Sequence, residues 1–127
     1  MNSTGLTGIA LCTIVLGWTP LAHAENWTNT GHDILIDIDS IHENADGLVY
    51  YYEKHHSYDM DDDGNPDGSH WEDAVKAAVD CRARVMYSSY SIQYESDWRS
   101  KGQPAAPNTM GGELLDFVCS RSGNGGP

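Results

Sequence analysis

Apolar and polar positions change period several times along this chain, and those changes divide it into elements. Ile9 to Trp18 is mostly apolar, and no Lys, Arg, Asp or Glu precedes Glu25. At about ten residues the run is half of the roughly 20 that a membrane-spanning helix requires. It is followed by Ala22-His23-Ala24, the small-x-small pattern of a secretory signal peptide cleaved after Ala24. The expected organisation is a signal peptide over 1–24, one β-rich domain over 25–120 and a disordered Gly-rich tail over 121–127.

Within the domain, "ILIDIDSI" sets Ile34, Ile36 and Ile38 against Leu35, Asp37 and Asp39, the period of two that marks a half-buried strand. The turn-forming segment His42 to Gly47 leads into "LVYYYEKHH", rich in β-branched and aromatic residues, so the two runs predict a hairpin. From Val75 to Tyr87 the odd positions read Val, Ala, Val, Cys, Ala, Val, Tyr and the even ones Lys, Ala, Asp, Arg, Arg, Met. The alanines favour a helix locally, but alternation sustained over the whole segment predicts one long strand. "YSSYSIQYE" repeats it with Tyr90, Ile92 and Tyr94 and predicts another strand; the tyrosines read as strand filling. Ser96 to Gly112 carries two prolines and three glycines and reads as loop. "GELLDFVCS" then places Leu114, Leu115, Val118 and Cys119 on one helical face, with Glu113 favourably in the first turn.

Cys12 falls in the leader, which leaves Cys81 and Cys119. In an oxidising compartment these two pair with each other, a bridge worth about 3 to 4 kcal/mol by loop entropy. Cys81 sits on the apolar side of the predicted long strand, so the bridge ties the closing helix onto that side. The fold class expected is mainly β (α+β): an antiparallel sheet with a short C-terminal helix tethered to one face by a disulfide.

Composition narrows the function classes. The chain has 19 acidic and seven basic residues, a formal charge of −12, and all of them follow residue 24. Such a domain is repelled by phosphate backbones and anionic lipid heads, which argues against nucleic acid and direct membrane insertion as partners. Nothing places a nucleophile: neither thiol reads as free, and there is no Gly-x-Ser-x-Gly elbow. An enzyme is not expected.

The order of Trp27, "ILIDIDSI", "GLVYYYEK", "AVDCRARVMYSSYSIQY" and the closing "GELLDFVC" resembles the surface-adhesin protein E-like family of small bacterial envelope proteins. The resemblance runs from Trp27 to Cys119, with "DCRAR" and "LLDFVC" as its most specific parts; in that family they carry the paired cysteines. It implies an antiparallel sheet with a helix held by the disulfide, export to the periplasm or cell surface, and adhesion to extracellular-matrix or other envelope proteins.

The candidate site is the acidic run between the second and third strands, "DMDDDGNPD". Oxygen donors at loop positions 1, 3, 5, 7 and 9, with Gly at 6, are what a flexible loop uses to wrap Ca²⁺. Asp59, Asp61 and Asp63 occupy the first three of those positions, Asn65 the fourth and Asp67 the fifth, with Gly64 at the turn. Position 12 holds His70 where a bidentate carboxylate belongs, so the expected affinity is weak, about 10⁻⁴ to 10⁻³ M. His55 and His56 are adjacent and face opposite sides of a strand, which argues against a shared transition metal. Arg82 and Arg84, with Lys76, fall on the polar side of the long strand, where Asp37 or Asp39 are the expected cross-strand partners. The function expected is a non-enzymatic exported envelope protein, a binding or adhesion module with a weak calcium loop in its acidic hairpin, a run that reads alternatively as a solvated turn without metal. The alternative is a structural or accessory subunit of an envelope assembly without a soluble ligand.

Overall fold

The computed structural model describes residues 25–122. The leader at 1–24 and residues 123–127 of the expected tail lie outside the described residues. Eight strands form one antiparallel sheet: β1 (Trp27–Asn29), β2 (Ile34–Asp37), β3 (His42–Glu43), β4 (Val49–Met60), β5 (Pro66–Trp71), β6 (Val75–Asp80), β7 (Val85–Tyr87) and β8 (Gln103–Pro104). The main path is β1-β2-β4-β6-β7-β8, with β3 and β5 both paired to β4. Among the described residues two α-helices accompany it, α1 (Ser89–Tyr94) and α2 (Met110–Arg121).

β4 is the axis of the sheet, and its centre is covered on both faces. Val49 and Tyr51 join Ile34, Ile36, Ala77 and Val79 against Leu114, Leu115, Val118 and Cys119 of α2. On the other face Leu48, Tyr50 and Ala78 form a smaller cluster with Tyr87, Ile92 and Trp98. Two-sided burial explains why "LVYY" is continuously apolar rather than alternating, while the next residue, Tyr52, is exposed. Sheet, α2 and the disulfide match the expected class: Cys81 and Cys119 are bonded, with Cα atoms 5.9 Å apart.

The long strand expected over Val75 to Tyr87 is instead two strands. Asp80 Oδ1 accepts from the amides of Arg82 (3.1 Å) and Ala83 (3.0 Å), and Arg84 takes a left-handed φ of 56°, so the chain reverses between β6 and β7. The reversal exchanges faces. Val79 now opposes Met86 and Ala78 opposes Tyr87, so Met86 joins the core under α2 and Tyr87 goes to the other side. Cys81 therefore reaches α2 from a turn, not from a strand face.

The segment expected as a further strand, Tyr90 to Tyr94, is α1. Ser88 caps it by accepting from the Ser91 amide at 3.1 Å, and Tyr90 and Tyr94 meet at 5.0 Å between ring centroids, the i,i+4 spacing of a helix. A stretch this short fits either period. Asp37 is also not a surface partner for arginine. At 3% exposure it accepts from the amides of Asn26 (2.9 Å) and Asp39 (3.1 Å), which ends β2 in a short 3₁₀ turn at Ile38–Ser40. Arg84 pairs with Asp116 of α2 instead.

Candidate functional site

β4 is twelve residues long, longer than any neighbour, and its second half leaves the body of the sheet. Pairing with β2 ends at Ile34↔His55, with one more bond from the His56 amide to the Asp33 carbonyl at 3.0 Å. Pairing with β6 ends at Glu53↔Val75. Beyond that only β5 accompanies β4, through His56↔Trp71, Ser57↔His70, Tyr58↔Ser69 and Met60↔Pro66. β5 pairs with no other strand and every residue of it is exposed. The result is a two-stranded arm, a form that is marginal when isolated.

Strand alternation gives the arm two unlike faces. One carries His56, Tyr58 and Met60 with Trp71 opposite. Trp71 stacks on His56 at 4.6 Å and 25°, and His56 meets Tyr58 at 4.6 Å. Asp33, itself at φ 59°, anchors this ladder at its root. Its Oδ2 accepts from the Tyr58 hydroxyl at 3.1 Å and its Oδ1 lies 3.4 Å from His56 Nδ1. The Asp33 carboxylate pushes the Tyr58 phenol above its usual range. Even so, Tyr58 is 54% exposed, Met60 59% and Trp71 38%. The opposite face is polar, with His70 Nδ1 3.2 Å from Asp59 Oδ1.

The five expected calcium donors all lie at the free end of this arm, where three of them, Asp59, Asp61 and Asn65, already make contacts within the hairpin. Asp61 Oδ1 accepts from the amides of Asp63 (2.9 Å) and Asn65 (2.8 Å). The Asp61 carbonyl accepts from Gly64 at 3.0 Å, and its amide donates to Asn65 at 2.9 Å. Gly64 supplies the positive φ of 83° that this turn needs. Asp59 is held by His70, the residue standing where the last carboxylate would be. Asp67 sits beside Gly68 where the β4–β5 register shifts. Among the described residues no three His, Cys, Asp or Glu side chains converge to hold a metal ion. His55 and His56 do part to opposite faces, His55 towards Glu53 and His56 towards Asp33.

The sequence reading passed over two features. The aromatic ladder was legible as His56, Tyr58 and Met60 in alternation. Glu53 was legible as an acid continuing the buried series Val49, Tyr51. At 6% exposure it lies 2.6 Å (Oε2) from His55 Nε2. That hydrogen bond raises the His55 pKa against the opposing effect of burial. Burial first, and the neighbouring Glu53 carboxylate second, push the Tyr51 phenol well above its usual value.

Comparison with family models, with curated proteins and with solved structures gives no match. What the coordinates define is a class: a mainly antiparallel sheet, clamped by one disulfide to a C-terminal helix, from which an amphipathic β-arm projects. Among the described residues no helix is long and apolar enough to cross a membrane.

Proposed function

We propose that the protein is an exported, non-enzymatic recognition module of the cell envelope, and that the β4–β5 arm grips its partner. The observation that carries this reading is the ladder Trp71-His56-Tyr58-Met60, an aromatic strip left exposed beyond the core with, among the described residues, no strand on either outer edge of the arm. Tyrosine and tryptophan give large contact area at small entropic cost and dominate interface energetics. An unpaired edge offers main-chain hydrogen bonds to an extended segment. The carboxylates at the tip and the charge of −12 select a basic partner. The partner class is therefore an extracellular-matrix or envelope protein that presents an extended basic segment with apolar anchors. The likeness to surface-adhesin protein E-like sequences points the same way.

Calcium enters this proposal only in weak form, since Asp59 must leave His70 and Asp61 must release two amides before the tip can wrap an ion. Immobilised matrix proteins and envelope extracts, each with calcium and with chelator, test the reading. Retention on matrix proteins that is lost in the double variant Tyr58→Ser, Trp71→Ala supports it. Retention unchanged in that variant overturns the assignment to the arm, and recovery of envelope subunits alone favours the accessory role.

A further inference from the structure

The sheet and the first turn of α2 leave a recess between them. Ile34, Tyr51, Ala77, Met86 and Leu114 supply apolar walls, with the half-exposed Met110 beside them. Its volume is ≈ 220 Å³. An apolar cavity of about 150 Å³ already accepts benzene, and drug-sized ligands use pockets of about 300 Å³ or more. The space suits one ring or a short alkyl chain.

A single charged side chain lines this space, and it is Glu53. Burying a carboxylate among apolar groups is costly unless it is paired and hydrogen-bonded, and a valine here would have continued the core. One donor reaches it, His55 Nε2 at 2.6 Å. A carboxylate has about four acceptor positions, so capacity for a further donor remains. An anionic ligand would meet Glu53 inside, whereas a cation is drawn in by Glu53 and by the field of the whole chain.

We infer that this recess binds a small organic ammonium compound, a primary amine carrying one aromatic ring or a short alkyl chain. Its ammonium donates to the Glu53 carboxylate and its hydrocarbon part lies against Ala77, Met86 and Leu114. The inference does not rest on the adhesion reading.

Methionine methyl groups labelled with ¹³C in the full protein report on it, because Met86 and Met110 line the recess whereas Met60 sits at the arm's end. Titration with phenethylamine is expected to shift Met86 and Met110 saturably and leave Met60 in place. The isosteric 2-phenylethanol and the anionic phenylacetate are expected to bind at least tenfold more weakly, and Glu53→Gln is expected to abolish the preference for the amine. Since Glu53→Gln also disturbs His55, Met110→Trp at the exposed margin provides a second variant, expected to block the Met86 shift. Equal affinity for amine and alcohol in the unaltered protein, shifts that spread to Met60, no saturable shift, or a Met86 shift undiminished in Met110→Trp would each overturn the inference.

Discussion

Trp71 lies flat against His56 across the β4–β5 arm, 4.6 Å between ring centroids and 25° from parallel, at the point where the arm leaves the sheet. Cross-strand pairs of this kind are worth about 0.2–1 kcal/mol, and here one steadies a ribbon with few other contacts. Trp71→Ala is expected to leave the global melting temperature within a few degrees while speeding amide hydrogen exchange over residues 56–60 and 66–71. Unchanged exchange in the arm would show that the ladder does not hold it.

The Cys81–Cys119 bridge closes a loop of 38 residues and fixes the turn after β6 to the last turns of α2. By the loop-entropy model it contributes about 4 kcal/mol. In a domain of this size that corresponds to a fall in melting temperature of roughly 15–30 °C on reduction. Thermal scans with and without reductant measure it, and a drop under about 5 °C would mean that packing alone seats the helix.

Gly112 approaches the Ala106 carbonyl so closely that an added Cβ would collide with it. Its amide is held by the Thr109 hydroxyl at 3.1 Å as the helix cap. An alanine in a helix ordinarily gains about 0.5–1 kcal/mol over glycine. Overpacking against backbone costs about 1–3 kcal/mol and wins here. Gly112→Ala is expected to lower denaturant stability, and a stabilised variant would contradict the close approach.

His55 is held above its ordinary value of 6.5, chiefly by the hydrogen bond to Glu53. A base whose folded pKa is raised adds stability that is complete below about pH 6.5 and is lost as pH rises through the folded pKa. The side chain is 43% exposed, so solvent screens most of the effect and the gain is small. NMR titration should place the His55 midpoint above 6.5, and Glu53→Gln should bring it down. A midpoint at or below 6.5 in the unaltered protein would contradict the pairing.

Calcium binding by the acidic tip is expected near 10⁻³ M or weaker, because the donors are engaged with their own hairpin. His70→Glu removes the partner of Asp59 and supplies a carboxylate at the twelfth position, so affinity should rise about tenfold. Calorimetry decides between these states. Submillimolar binding before the change, or no gain after it, would show that His70 is not the obstacle.

Periodicity made β2, β4, β6 and α2 legible, because each holds one face against the core over enough residues to declare its period. It misled at Cys81 to Arg84, where alternation continues through a reversal. The signal present was Asp80, a residue whose carboxylate binds the next amides. The reversal then sent Met86 and Tyr87 to faces opposite those their numbers implied. α1 was lost because six residues cannot distinguish a spacing of two from a spacing of four. In the acidic run, spacing located five oxygen donors but not their partners, and Asp61 satisfies its own loop.

The placement of negative charge bears on more than a ligand. The arm exposes two rows of unpaired backbone, a template on which copies of the chain would stack edge to edge. Asp59, Asp61, Asp62, Asp63 and Asp67 crowd its end, Pro66 removes one donor, and the register of the pair shifts between Tyr58 and Met60. These are brakes on self-association. Replacing the tip aspartates by asparagine would therefore leave the arm's open edges without that repulsion.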